Sequence, residues 1–298
     1  MNNFDVPILL LIFNRPEHTF KVFNKIRELK PKTLFIAADG PRNSNEKILC
    51  DETRTIAKLI DWDCELSLLF RDENLGCGKA VSSSIDWFFS SVPSGIILED
   101  DCYPTEDFFL FCKFCLEKYE FNDDVFQING FNQFGGHKES GDYFFTKYPR
   151  VWGWATWRSS WITNDFQMNN WKDLRKKPLA LIKRFGFIEA IIRYIIWQKY
   201  YTSLANGIQA RSWGYQWHLN IVFRNGLCIQ PEANLITNIG MEGGTNYSKD
   251  SANNESVPFG KLTQPIHLIE ESGSKFDKLM SNKYLQERIS NFKRKLLK

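Results

Sequence analysis

Gly95-Ile96-Ile97-Leu98-Glu99-Asp100-Asp101-Cys102-Tyr103-Pro104 is an apolar run that ends in three consecutive carboxylates and, after two more residues, a proline. Ile96, Ile97 and Leu98 read as a strand buried on both faces, because a parallel sheet sandwiched between helices gives continuous rather than alternating apolar runs. The acids then stand at the strand's C-terminal tip. In an open α/β sheet, ligands bind outside the carboxyl ends of the strands. Three adjacent negative charges repel one another, so a cation or a set of hydrogen-bond donors is expected to compensate them. A solvated acidic turn closed by Pro104 is the bland alternative, and the position after a buried strand argues against it.

On the N-terminal side, Val6 to Phe13 is another apolar run, ended by Asn14-Arg15-Pro16, and Phe20, Phe23, Ile26 and Leu29 then recur at helical spacing. Leu34 to Ala38 predicts a second strand, stopped by Asp39-Gly40-Pro41, and Ile48 to Ile60 a second helix. Leu66 to Phe70 predicts a third strand. Alternation at this spacing implies a parallel sheet with right-handed crossovers. Gly78-Lys79 is no P-loop, since Glu73 stands where the first glycine is needed and Ala80 where the metal-binding hydroxyl belongs. The milder reading is a helix start whose N–H groups, with Lys79, are available to an anion, with a plain helix N-terminus as the equal alternative.

On the C-terminal side, Thr105-Glu106-Asp107 caps a helix from Phe108 to Tyr119, and Val125 to Asn129 reads as a strand. Cys112 and Cys115 are best read as buried helix-face cysteines, because no second ligand pair stands nearby. From Phe131 to Trp161 glycines and aromatics dominate, including Val151-Trp152-Gly153-Trp154-Ala155-Thr156-Trp157. Such a stretch suits a sugar-stacking pocket, with core packing as the alternative for any single tryptophan. Leu179 to Tyr201 is apolar with charges at intervals, as in a helix pair packed on the core or lying on a membrane; packing is favoured. A helix opens at Ser212-Trp213-Gly214-Tyr215, and Gly226 to Gln230 predicts a last short strand. Residues 251–298 read as a polar, basic, solvated tail, leaving 1–250 as one domain whose two halves divide at about residue 130.

The chain has 298 residues, 43% hydrophobic and 24% charged, as in an ordinary globular protein; 15% aromatics with 10 Trp is high. A net charge of +3 is too slight to argue for nucleic acid but tolerates an anionic substrate. Seven cysteines in no even framework, and no leader-like opening, point to the cytoplasm.

Taken as an ordered set, Pro7-Ile8-Leu9-Leu10 through Asn14-Arg15-Pro16, Ala38-Asp39-Gly40 and Leu98-Glu99-Asp100-Asp101 resemble the nucleotide-sugar glycosyltransferases of GT-A fold. The N-acetylglucosaminyltransferase I type and similar bacterial proteins are the nearest likeness, over roughly Val6 to Asn246. The resemblance implies a Rossmann-like, mostly parallel α/β sheet flanked by helices, with an aromatic-rich C-terminal acceptor region. It further implies an inverting transferase that uses a nucleotide diphosphate sugar, UDP-linked for this type, and Mn2+ or Mg2+. The acceptor expected is a glycan, glycolipid, lipid-linked glycan or glycoprotein, reached in the cytoplasm or at the inner membrane face. Asp101 corresponds to the metal ligand, Asp100 to the ribose contact and Glu99 to the acid that shapes the loop or meets the sugar. Asp39 corresponds to the base-binding aspartate, Arg15 to the arginine near the diphosphate and, more loosely, Lys79 to a base or ribose contact.

The departure lies at Trp213-Gly214-Tyr215-Gln216-Trp217, where the family pattern has an aspartate base and this chain has no carboxylate. An inverting transfer needs a proton acceptor on the face opposite the leaving group. Glu242, in the loop Gly240 to Gly244, is the first candidate and His218 the second. A noncatalytic nucleotide-sugar or glycan binder is the main alternative. A sugar nucleotidyltransferase is disfavoured because Asn14-Arg15-Pro16-Glu17 lacks the glycine-rich triphosphate loop.

Overall fold

The computed structural model describes residues 4–135, 141–240, 257–269 and 272–296. The chain opens with β1 (Ile8–Ile12), α1 (Pro16–Leu29), β2 (Thr33–Ala38) and α2 (Ser44–Arg54). A 3-10 turn (Thr55–Leu59) precedes β3 (Glu65–Phe70), α3 (Gly76–Ser91), β4 (Ser94–Glu99), β5 (Cys102–Pro104), α4 (Glu106–Lys118) and β6 (Val125–Asn129). The second half contributes β7 (Tyr143–Thr146), β8 (Trp154–Trp157), α5 (Arg158–Trp161), α6 (Trp171–Leu174), α7 (Pro178–Phe185) and α8 (Phe187–Ala205). It ends with α9 (Gly214–Phe223), β9 (Leu227–Pro231), β10 (Ile236–Asn238) and α10 (Ser272–Leu296).

Eight strands form one sheet in the order β3-β2-β1-β4-β8-β6-β9-β7. The first four are parallel and run in the order of a doubly wound nucleotide-binding half, which reverses direction between β1 and β4. β8 is antiparallel to both β4 and β6, and β7 is antiparallel to β9. The expected mixed, mostly parallel α/β sheet is therefore present. Successive residues of a strand point to opposite faces, so Ile8, Leu10 and Ile12 join α1 and α4 in one core layer, while Leu9 and Leu11 join α3 and α9 in the other. Cys112 and Cys115 lie fully buried in the first layer.

Two expectations need correction. The tryptophan-rich run does not line a pocket as a whole: Trp154–Trp157 is strand β8, inserted between β4 and β6, and Trp154 packs with Trp161, Trp213 and Trp217 in the core, stacked on Trp213 at 5.4 Å. The region read as a solvated tail includes α10, whose Phe276 and Met280 are buried in a third cluster with Phe144, Trp171 and Trp197. Apolar positions in α10 are sparse, which hides its packing face from a periodicity reading.

Candidate functional site

The reversal between β1 and β4 leaves a crevice at the carboxyl ends of these two strands. β1 runs out through Asn14 to Arg15, and Pro16 starts α1 at the helical position where a missing N–H costs nothing. Arg15 is thereby held at the mouth of the crevice. Its Nη1 donates to Asp101 Oδ2 at 3.0 Å and lies 3.7 Å from Asp100 Oδ1, so one guanidinium compensates two of the three acids. That compensation is partial. Burial and the charges of Asp101 and Asp100 push the half-buried Glu99 carboxyl well above the usual range, against the opposing pull of Arg15. Burial and Asp101 raise Asp100 to about 7.

A short antiparallel pair closes one side. β10 pairs with β5, the Ile239 N–H donates to the Asp101 carbonyl at 2.8 Å, and His18 Nε2 meets the Ile239 carbonyl at 3.1 Å. Gly240 follows, so close that a Cβ on it would stand 2.5 Å from Asp101 Oδ2 and 2.7 Å from Arg15 Nη1. A side chain there would have to displace Asp101 or Arg15. Sequence reading grouped Gly240 with a glycine-rich loop; its contact with Asp101 depends on a strand pairing between distant segments that no local pattern announces.

On the opposite side, β8 pairs Ile97 with Trp154. Continuing that register brings Trp152 opposite Glu99, past Gly153, whose φ of +59° and proximity to Leu98 and Ile236 exclude a side chain. Trp152 is half-buried and packs on Phe131 with ring centroids 4.6 Å apart. Of the tryptophans in this run, it is the one at the crevice.

Asp39, at the tip of β2, has a structural part that the sequence does not announce. Its Oδ1 accepts the N–H groups of Gly40 at 3.0 Å and Leu75 at 2.9 Å, and its Oδ2 accepts that of Gly76 at 3.0 Å. The start of α3 is thus capped by the protein's own carboxylate, and the anion that this helix end was expected to seat is already present. The Ala210 carbonyl packs against Gly78, and the Gln209 amide donates to the Leu75 carbonyl, which covers the same turn. Lys79 is exposed and its side chain has no hydrogen bond or ion pair among the described residues. The Cys77 thiol between them is pushed up to about 12, by desolvation and then by Glu99, Asp39, Asp101 and Asp100, which all act on this one turn.

The two candidates for the base fare differently. His218 is not in the crevice: its Nε2 is buried without a partner among the described residues, its Nδ1 lies 3.4 Å from Arg193 Nη1, and its ring packs edge-on against Phe185 and Trp197. Burial, with the charges of Arg193 and Arg184, holds its pKa well below the ordinary histidine value. Its packing on the face of α9 turned to Phe185, Arg193 and Trp197 keeps it away from the crevice. Glu242 lies outside the described residues. Gln216, where a base would fit the family pattern, is fully buried.

Among the described residues no group of three or more His, Cys, Asp or Glu side chains converges as a metal site. The donor set of the crevice nevertheless fits a hard divalent cation: oxygen ligands, crowded negative charge and one counterion for two carboxylates. Asp101, with Asp100 beside it, would hold such an ion, and the remaining ligands would have to come from a bound phosphate and water.

No family model matches the chain, and no curated protein matches it. Among solved structures, it is similar to mouse xyloside xylosyltransferase 1 in its apo form, at 8% identity over 74% of this chain and 82% of that one, with a TM-score of 0.34. HddC from Yersinia pseudotuberculosis is similar at 10% identity over 52% of this chain and 77% of that one, TM-score 0.33. A mannose-1-phosphate geranyltransferase from Thermus thermophilus is similar at 9% identity over 77% of this chain and 74% of that one, TM-score 0.33. Likenesses this slight carry no functional argument, which rests on the chain's own residues.

Proposed function

We propose that the chain is a glycosyltransferase that takes a sugar from a nucleotide diphosphate sugar, most simply a UDP-sugar, and passes it with inversion to a hydroxyl of a glycan, lipid-linked glycan or glycoprotein. The observation that carries this reading is the under-compensated acid cluster of Glu99, Asp100 and Asp101 facing Arg15 across the β1–β4 reversal. A divalent ion, Mn2+ or Mg2+, bound at Asp101 would supply positive charge for the departing diphosphate. Arg15 is placed to bind a diphosphate oxygen and would exchange part of its hold on Asp101 for it. Asp100 would accept from a ribose hydroxyl. Asp39 still has lone pairs on Oδ2 for a base N–H, and Lys79 is free to approach the same nucleoside. Glu99 would meet the sugar on the side where Trp152 offers an indole face. Glu242, following Gly240 in the chain, is the residue proposed to take the acceptor proton.

The test is nucleotide binding followed by calorimetry and thermal shift, with UDP and UDP-sugars, with and without Mn2+. Metal-dependent stabilisation by UDP is expected in the wild type and should collapse in Asp101→Asn, which keeps the size of the ligand and removes its charge. Wild-type behaviour of Asp101→Asn would remove the site assignment. A noncatalytic binder would show the same binding and no donor hydrolysis or transfer. In an active enzyme, Glu242→Gln should lower turnover by about 10²–10⁴-fold with donor affinity nearly intact.

A further inference from the structure

In the pair of helices α7 and α8, α8 is amphipathic in the reverse of the sense that suits a helix meeting only water. α8 turns Glu189, Ala190, Arg193 and Trp197 inward. With about 3.6 residues per turn, Phe187, Ile188, Ile191 and Ile195 fall on the opposite side. They are 65%, 60%, 45% and 61% exposed, and Leu179 of α7 is 77% exposed. Two of the three charged residues of the helix, Glu189 and Arg193, lie inside instead. Arg193 Nε donates to Glu189 Oε1 at 2.7 Å, and the hydroxyls of Tyr148 and Ser281 donate to the same carboxylate. Single exposed aliphatics are ordinary; four in register on one helix face are not.

Charge narrows what covers this face. Residues 171–210 contain eight Lys or Arg and two Asp or Glu, a net +6, in a chain whose whole net charge is +3. One of the two acids, Glu189, is buried in its ion pair. Lys176, Lys177, Lys183 and Lys199 are exposed around the apolar stripe. A second copy of the same face would bring like charges together. Apolar side chains flanked by lysines match an anionic bilayer surface, where the aliphatics enter the acyl boundary and the ammonium groups meet phosphates. No helix of the described residues is long and apolar enough to cross a membrane.

We propose that the α7–α8 hairpin is an interfacial membrane anchor that lies flat on an anionic phospholipid surface through Phe187, Ile188, Ile191, Ile195 and Leu179. The inference stands on the exposed face and its charge, independently of glycosyl transfer. The experiment is cosedimentation of the full chain with phosphatidylcholine vesicles, and with vesicles in which part of that lipid is replaced by phosphatidylglycerol, at low and high salt. The wild type is expected to bind the phosphatidylglycerol vesicles, less so at high salt, and pure phosphatidylcholine more weakly. Ile191→Ser/Ile195→Ser should lose about tenfold or more of the partitioning on both. Lys176→Glu/Lys177→Glu should lose it chiefly on the anionic vesicles. Both variants alter exposed positions, so their melting temperatures in buffer should match the wild type and a folding defect would be seen separately. Absence of vesicle binding by the wild type, or equal binding by the serine variant, overturns the proposal. So does lipid-free self-association of the wild type, by sedimentation velocity, that the serine variant abolishes, since a second copy would then cover the face.

Discussion

Asp39 shows how a residue whose place is legible in the sequence can carry a second duty that is not. The sequence marks it as the acid that ends a buried strand, but whether its oxygens face a ligand or the chain depends on a loop that arrives only after α2 and β3. In the structure that loop donates Leu75 and Gly76 N–H groups to it. Asp39→Ala should therefore lower stability by about 1–3 kcal/mol, seen as a lower urea midpoint at unchanged slope, before any effect on nucleotide is considered. A wild-type midpoint would show that the cap contributes nothing. His218 makes a second residue-scale test. Arg193 on α8 and Arg184 on α7 are the charged groups acting on it, and with burial they keep it neutral in the fold. Its folded pKa is depressed, so the stability it permits is present above the unfolded value of about 6.5 and is lost as pH falls below that value, because the unfolded chain takes up a proton that the native state refuses. Denaturation at pH 7.5 and 5.5 should show a smaller acid loss in His218→Gln than in the wild type. Identical losses would place the acid sensitivity elsewhere.

At the scale of elements, the parallel half was legible because each strand is a short apolar run with punctuation after it. Asn14-Arg15-Pro16, Asp39-Gly40-Pro41 and Glu99-Asp100-Asp101 end β1, β2 and β4, and these same endings build the crevice. β8 was illegible for the opposite reason. Trp154, Ala155, Thr156 and Trp157 are buried on both faces, so they carry no period-two signal, and the same composition suits a pocket. β5 and β10, three residues each, are below the length at which any pattern can form. Yet their pairing sets Gly240 against Asp101. Gly240→Ala should push Asp101 and Arg15 apart, because the added methyl would stand 2.6 Å from the Asp101 Cβ as well as against the flexible ends of both side chains. We expect about a tenfold loss of metal-dependent UDP affinity, the equivalent of ~1.4 kcal/mol, with little change in melting temperature. Unaltered affinity by calorimetry would mean that the crevice tolerates a wall at that point.

For the molecule as a whole, the N-terminal half could be assembled from local signals, whereas the second half depends on contacts between distant segments. The third core cluster illustrates this: it draws Phe144 from β7, Trp171 from α6, Trp197 from α8, Leu219 from α9, and Phe276 and Met280 from α10. No one of these segments announces it. α10 looks polar because its buried face is narrow, but that face is also tied down by polar contacts: Thr146 donates to Asp277 at 2.5 Å, and Ser281 donates to Glu189 at 2.5 Å. Glu189 in turn holds Arg193, beneath the outward apolar stripe of α8. The region read as a solvated tail therefore supports the hairpin proposed to meet the membrane. If so, Phe276→Ala should behave as a core substitution, costing about 3–5 kcal/mol through lost burial and the cavity left against Phe134 and Phe144. A fall in the denaturation midpoint of that size is the expected result, with the far-UV spectrum of the folded protein retained. A change below about 0.5 kcal/mol, the scale of a surface substitution, would detach α10 from the core and return residues beyond 256 to the status of a tail.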